Sequence, residues 1–217
     1  MFGSSTGESV GEGAIGGGWS SVSHRGFDAG VHQENPQPYA AMVAVARDML
    51  DELAGANPPL DVVEKVSAHL ADVQTLLTDH QVSERRRPFG HLDVPGRAQC
   101  MSPVLRMHRW ERDGADGVVT FGKYYLGGNG AAHGGTIPLM FDEVLGRLAS
   151  TDRTPCRTAY LHVDFRSITP IDVELTVTGR FEREEGRKRY LRAELRHDDV
   201  VCAEAEGLFI ELKPGQP

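Results

Sequence analysis

The chain has 217 residues, 40% of them hydrophobic, enough to bury a sizeable core as one domain or as one domain with a large extension. Its formal net charge of −8 argues against a nucleic-acid binder, and three cysteines without a Cys-x-x-Cys pair or metal-ligand spacing exclude a disulfide framework and fit a reducing compartment. Met1 to Trp19 lacks the basic start and apolar run of a secretion signal, and no segment is long and apolar enough to span a bilayer, so a cytoplasmic protein with no membrane partner is expected.

Residues 1–36 are rich in Gly and Ser, and Trp19, Val22 and Phe27 are among their few large apolar side chains. So little apolar area does not offset the entropy of ordering, and a flexible segment is expected. Gly3-Ser4-Ser5-Thr6-Gly7 has the letters of a nucleophile elbow, and Gly11-Glu12-Gly13-Ala14-Ile15-Gly16 those of a dinucleotide fingerprint. Neither has the preceding strand and following helix that such chemistry needs.

Residues 37–96 read as a helical extension. Tyr39, Met42, Val43, Ala46, Met49, Leu50 and Leu53 recur at three-to-four spacing up to Gly55. After Pro58-Pro59, Val63, Val66, Leu70, Val73 and Leu77 form a stripe over Asp61–His80. The two segments predict a helical hairpin with solvated acidic outer faces. Arg85-Arg86-Arg87 before Pro88 reads as a solvated linker. The acidity of the chain lies here: residues 1–96 balance at −7 and residues 97–217 at −1, so only the latter half is suited to present local arginines to a polyanion.

From Val104 strand signals dominate, with strands predicted over 104–112 and 118–125 around the turn-rich 113–117. Then comes Gly130-Ala131-Ala132-His133-Gly134-Gly135-Thr136, followed by an apolar helical pattern over 136–149 interrupted by Asp142. Gly134 and Gly135 let a ligand approach bare backbone N–H groups while the helix aims its positive end at it, in outline an oxyanion-binding arrangement. Gly135 is the expected donor, Gly134 gives room, and His133 is a candidate both for holding the loop by hydrogen bonding and for acid–base work. Asp142 lies too far past Thr136 to be the helix cap and is set among Leu139, Met140, Phe141, Val144 and Leu145. A carboxylate in such company is a candidate for chemistry. Pro138 falls in the first turn, where a missing N–H costs little.

Residues 158–166 alternate, Ala159, Leu161, Val163 and Phe165 on one face and Thr158, Tyr160, His162 and Asp164 on the other. The segments around 173–177, 191–195 and 201–209 do likewise. Each strand has one apolar face, so an antiparallel sheet wrapped around the single central helix buries them all, an α+β architecture. Cys156 and Cys202 read as packing residues. His162 and Asp164 share an outer face but are too few for a metal site, and none is expected.

His133-Gly134-Gly135 with Asp142 nine positions after the histidine resembles the hot-dog-fold acyl-CoA thioesterases, particularly the phenylacetate-degradation type and its mammalian thioesterase-superfamily relatives. Arg157 to Phe165, Ile168-Thr169-Pro170, Glu185-Gly186-Arg187-Lys188 and the closing strand to Leu212 continue the resemblance. It covers roughly the last half of the chain, residues 97–217, and leaves the extension unexplained. It implies a hot-dog fold, a homodimer or higher homo-oligomer, and hydrolysis of an acyl-CoA substrate to free acid and coenzyme A, with no cofactor. It also implies Asp142 as nucleophile or general base, and Thr158, sixteen residues on, as the holder of an attacking water. Yet the alternation sets Thr158 opposite Leu161 and Phe165, so it reaches Asp142 only near a strand end, through a bulge or across a dimer interface. Relatives often carry Asn or Gln before the histidine; here Gly127 takes that position and Asn129, offset, is the candidate substrate contact. Arg166, Arg187, Lys188 and Arg189 are candidates for the coenzyme A phosphates. A hot-dog enoyl-CoA hydratase needs an Asp/His dyad at a different spacing, and the alternative kept is a non-catalytic acyl-CoA-binding or regulatory module.

Overall fold

A computed structural model describes residues 28–216, so the two Gly-rich motifs and the Trp19, Val22 and Phe27 positions lie outside the described residues. In chain order the strands are β1 Leu105–Glu111, β2 Gly114–Thr120, β3 Leu126–Gly128, β4 Ala131–Ala132, β5 Cys156–Phe165, β6 Glu174–Glu185, β7 Lys188–His197 and β8 Val200–Glu211. The helices are α1 Val31–Glu34, α2 Gln37–Gly55, α3 Leu60–Thr78 and α4 Thr136–Ser150.

Period-two alternation makes the sheet. In β7, Arg189, Leu191, Ala193 and Leu195 are buried while Lys188 and Arg192 are exposed. Six such strands pair antiparallel in the order β1-β2-β6-β7-β8-β5, with β3 and β4 a separate small hairpin. α4 crosses the apolar face. Its buried residues, Ile137, Met140, Phe141, Val144, Leu145, Leu148 and Ala149, follow three-to-four spacing and share one core with Leu175, Val177, Leu195, Ala203 and Phe209. β6 approaches the helix closely because Gly179 lacks a side chain: a Cβ there would sit 3.2 Å from Val144 Cγ1 and 3.3 Å from Leu148 Cδ2. This is the expected sheet around one central helix.

The β1–β2 link differs from expectation. Residues 114–117 are strand, because Glu111 pairs with Gly114 and leaves Arg112-Asp113 as the turn. β2 is paired on both sides, to β1 and β6, and Ala115 is fully buried; those gains outweigh a local turn composition. Asp116 then faces outward to Arg109 and Arg180, whose hydrogen bonds hold its carboxyl below the usual range against the opposing effect of burial.

The extension is docked by α2 alone. Val43 packs with Leu92, Val94 and Ala98, and Arg47 donates from Nε to the Gln99 carbonyl at 2.7 Å and from Nη2 to that of Gly96 at 3.1 Å. Asp51 accepts the Tyr124 N–H at 2.8 Å. The expected hairpin does not close: every residue of α3 is exposed. Ala56 and Pro59 are both extended, and α2 spends its apolar face on residues 92–98 rather than on α3.

Gly179→Val should lower the unfolding free energy by about 2 kcal/mol, since its extra methyls overpack Val144 and Leu148. Urea unfolding should show a lower midpoint at unchanged slope. An unchanged midpoint would mean that α4 does not lie this close to β6.

Candidate active site

The turn ahead of α4 is built by backbone. Asn129 and Gly130 have φ of 50° and 73°, the left-handed conformations that reverse β3 into β4 in a tight turn. The His133 N–H donates to the Tyr125 carbonyl at 2.7 Å, and the Ala132 N–H to that of Thr169 at 2.8 Å. Residues 168–170 therefore brace the hairpin. Gly127 cannot carry the amide side chain that the resemblance leads one to expect, because a Cβ there would be 2.8 Å from His133 Cα. Asn129 sits at the hairpin tip as a turn residue.

His133 holds the loop, as its position predicts. Its Nδ1 accepts the Gly135 N–H at 3.0 Å, and its carbonyl accepts the Thr136 N–H at 2.9 Å and hydroxyl at 2.7 Å. Nδ1 being an acceptor, the neutral ring carries its proton on Nε2. Two expectations change. Thr136 is the first helical residue rather than a side-chain cap, and the Gly135 N–H, already engaged by the imidazole, is not the free donor. The neighbouring Gly134 N–H meets no protein acceptor among the described residues and is exposed.

Asp142 is half-buried on the flank of α4, and Thr158 Oγ1 donates to its Oδ1 at 2.7 Å. The parity problem at Thr158 is resolved by a β-bulge. Thr158 opposes Phe209 on β8 and Tyr160 opposes Leu208, so Ala159 is the extra residue. Cys156 and Thr158 thereby share the helix-facing side with Leu161 and Val163, and Ala159 is turned out, contrary to simple alternation.

The two halves of this chemistry are far apart within one chain. Thr136 to Asp142 alone spans about 9 Å of helix at 1.5 Å per residue, and Gly134 lies two residues further back. The Gly134 N–H and the Asp142 carboxylate of one chain thus stand about two helical turns apart in sequence. Two cavities of about 420 and 330 Å³ lie elsewhere: on the outer sheet face between His162, Arg180 and Glu204, and between α2 and Tyr124-Tyr125. Neither is lined by Asp142.

The predicted phosphate-binding cations are not brought together. Arg166 bonds Glu204 at 2.6 Å and Asp164 at 3.2 Å on the outer face, with His162 3.4 Å from Asp164. Arg187, at the β6–β7 hairpin, donates to the Glu211 carbonyl at 3.0 Å, and Lys188 pairs with Ile210. The Arg166 N–H instead bonds the Cys202 carbonyl, so about 26 Å of β8 separates it from Lys188. Arg189 is 2% exposed and ties the Ala149 carbonyl (2.9 Å) and the Thr154 carbonyl (2.6 Å) to Glu184, closing the C-terminal end of α4. A ligand role for Arg189 is thereby corrected to a structural one, and its parity with Leu191 and Leu195 was the available signal. Among the described residues no three His, Cys, Asp or Glu side chains converge on a possible metal position. Cys156 is buried, which pushes its thiol up and makes it a packing residue.

Residues 129–206 match the family model of the thioesterase superfamily. Acyl-coenzyme A thioesterase THEM4 of Xenopus laevis is 36% identical over 95 residues, 43% of either chain. Acyl-coenzyme A thioesterase THEM5 of Mus musculus is 28% identical over 150 residues, 62% of this chain and 60% of that one. The chain thus spans roughly two fifths to three fifths of the length of these curated relatives. The crystal structure of a thioesterase superfamily protein superposes with a TM-score of 0.70 at 27% identity, covering 80% of this chain and 90% of that chain. Residues 97–217 are little more than half of the chain, so that match takes in part of the extension. The fold is the hot-dog fold of that superfamily, as the histidine-glycine motif implied.

Arg189→Met should cost about 3 kcal/mol in urea unfolding, because it strands buried carbonyls and a carboxylate. Arg166→Ala, removing an exposed cation, should change stability by less than about 0.5 kcal/mol. Equal effects would contradict the distinction between a structural arginine and a surface one.

Proposed function

We propose that the chain is an acyl-CoA thioesterase whose active site is completed by a second copy, Gly134 coming from one protomer and Asp142 with Thr158 from the other. The observation that carries the reading is the Thr158–Asp142 hydrogen bond of 2.7 Å, made on the helix that follows the His133-Gly134-Gly135 turn. Thr158 gives its one proton to Asp142, which leaves its oxygen lone pairs able to accept from a water. A water donating one hydrogen to Thr158 Oγ1 and the other to the carboxylate keeps a lone pair for attack. Asp142 then acts as general base: the new C–O bond forms, the oxyanion is received by the Gly134 N–H, and the C–S bond breaks. The proton passes from Asp142 to the departing coenzyme A sulfur, giving free acid and thiol. The reaction calls on water and no cofactor.

The free edge of the sheet supports a two-chain site. Among the described residues β5 pairs on one side only, with β8, and its outer edge is unpaired. Gly134 lies beside Phe165, a Cβ there coming 3.8 Å from the ring, whereas Asp142 lies beside Thr158. Antiparallel pairing of two β5 edges sets the Phe165 end of one copy against the Thr158 end of the other. That brings one protomer's Gly134 toward its partner's carboxylate.

Asp142→Asn keeps shape but removes the base, and kcat for release of free thiol from acyl-CoA should fall about 10²- to 10⁴-fold with little change in fold. Retention of more than about a tenth of turnover would sink the assignment, since that loss is only about 1.4 kcal/mol of barrier. Binding without turnover in the unaltered chain would favour the regulatory-module reading.

Complementation tests the sharing. Gly134→Pro deletes the donor N–H and should be inactive alone, as should Asp142→Asn. Mixed after unfolding and refolding together, the two should recover about a quarter of wild-type activity, because half the dimers are mixed and one of their two sites is intact. No recovery would mean that both groups must come from the same chain.

A further inference from the structure

We infer that α3 is a self-association helix, its apolar seam packing against the same seam of a second copy. Val63, Val66, Leu70, Val73 and Leu77 recur at intervals of three, four, three and four residues, the strict two-per-heptad spacing of a coiled-coil seam. All five remain between 39% and 51% exposed. A helix of 19 residues whose apolar stripe is left exposed by the other described residues is marginal in water, so the stripe calls for a cover.

The flanks say what the cover is. The positions beside the seam are Leu60, Val62, Ser67, His69, Gln74 and Leu76, and no Asp, Glu, Lys or Arg is among them. The charged residues Asp61, Glu64, Lys65 and Asp72 occupy the remaining positions, with Lys65 and Asp61 paired at 3.1 Å. Like charges on these flanks would oppose the meeting of two identical seams, and their absence removes that repulsion. The outer face of the chain's own sheet suits the stripe poorly. The outer sheet face is a lattice of ion pairs, Arg166–Glu204 at 2.6 Å, Arg192–Glu206 at 2.6 Å and Arg180–Asp116 at 2.7 Å. Charges of that density would be stripped of water by an apolar helix with no replacement.

Two and a half heptads bury less than the roughly 1,200 Å² of a stable stand-alone interface. The α3 pair therefore acts as a second contact in an assembly held at another point too, where effective concentration strengthens it. For its other contact the inference rests on the β5-edge pairing of the proposed function, but not on catalysis, since α3 shares no residue with the Asp142 site.

Sedimentation of the full chain over a range of concentrations, with Val66→Glu/Leu70→Glu and Val66→Lys/Leu70→Lys, tests it. Each double variant should weaken one association step at least about tenfold, and an equimolar mixture should restore it to within about threefold, because opposite charges then meet across the seam. Urea unfolding of the hot-dog core should be unchanged in both variants. Wild-type association in the Glu variant overturns the inference. So does failure of the mixture to recover, which would assign the seam to another protein or to another segment of the chain. Loss of the core transition would equally overturn it, since α3 would then be part of the core.

Discussion

The burial of α4 against the curved sheet is the constraint from which the rest follows. Seven apolar side chains at three-to-four spacing fix the rotation of this helix about its axis, because each must enter the core with Leu175, Val177 and Phe209. Asp142 follows Phe141 by one residue, about 100° around the helix, and so is turned to the flank nearest β5. The acidic side chain needs no device of its own to be aimed there. Its direction is a by-product of hydrophobic packing, and its start point is set by the His133 turn that pins the N-terminal end of the helix.

In the proposed site, the same helix separates the two groups that one chain contributes. A rigid rod that holds a donor at its start and a carboxylate two turns on keeps them apart by its own pitch. The proposed pairing of two copies would bring the two ends together, and the β5 edge left unpaired among the described residues lies beside both. Edge strands are normally blunted or covered; this one carries Thr158 and its bulge. The bulge and the free edge thus belong to one arrangement. One turns a hydroxyl toward the helix, and in the proposed pairing the other offers backbone to a second copy.

Electrostatics divides the surface into used and available charge. Arg189 and Arg153 are spent on carbonyls and carboxylates at the helix end and the β1–β2 turn, and Arg166, Arg180 and Arg192 on the outer lattice. Arg147, buried beside Trp110 and Glu143, has its guanidinium pulled down to about 10 by desolvation, a residue that fastens α4 rather than one that meets solvent.

Periodicity alone determined most of the architecture: the alternating strands, the single amphipathic helix and the heptad stripe of α3 are one-dimensional patterns that burial converts directly into faces. The site motif was equally legible, because a glycine-rich turn, a helix start and an intrusive carboxylate are adjacent in sequence. Parity even marked Arg189 as inward, although its charge argued for the surface. What tertiary structure alone decided were the features that depend on long-range pairing. β2 extended through Gly114–Gly117 because two neighbouring strands claimed its backbone, against local turn propensity. Thr158 faced Asp142 because β8 opposed β5 with one residue to spare, a count that no single strand contains. The free N–H passed from Gly135 to Gly134 because an imidazole folded back within its own turn. Sequence fixes which faces are apolar; the register between strands and the sharing of hydrogen bonds are settled only when distant segments compete for the same atoms.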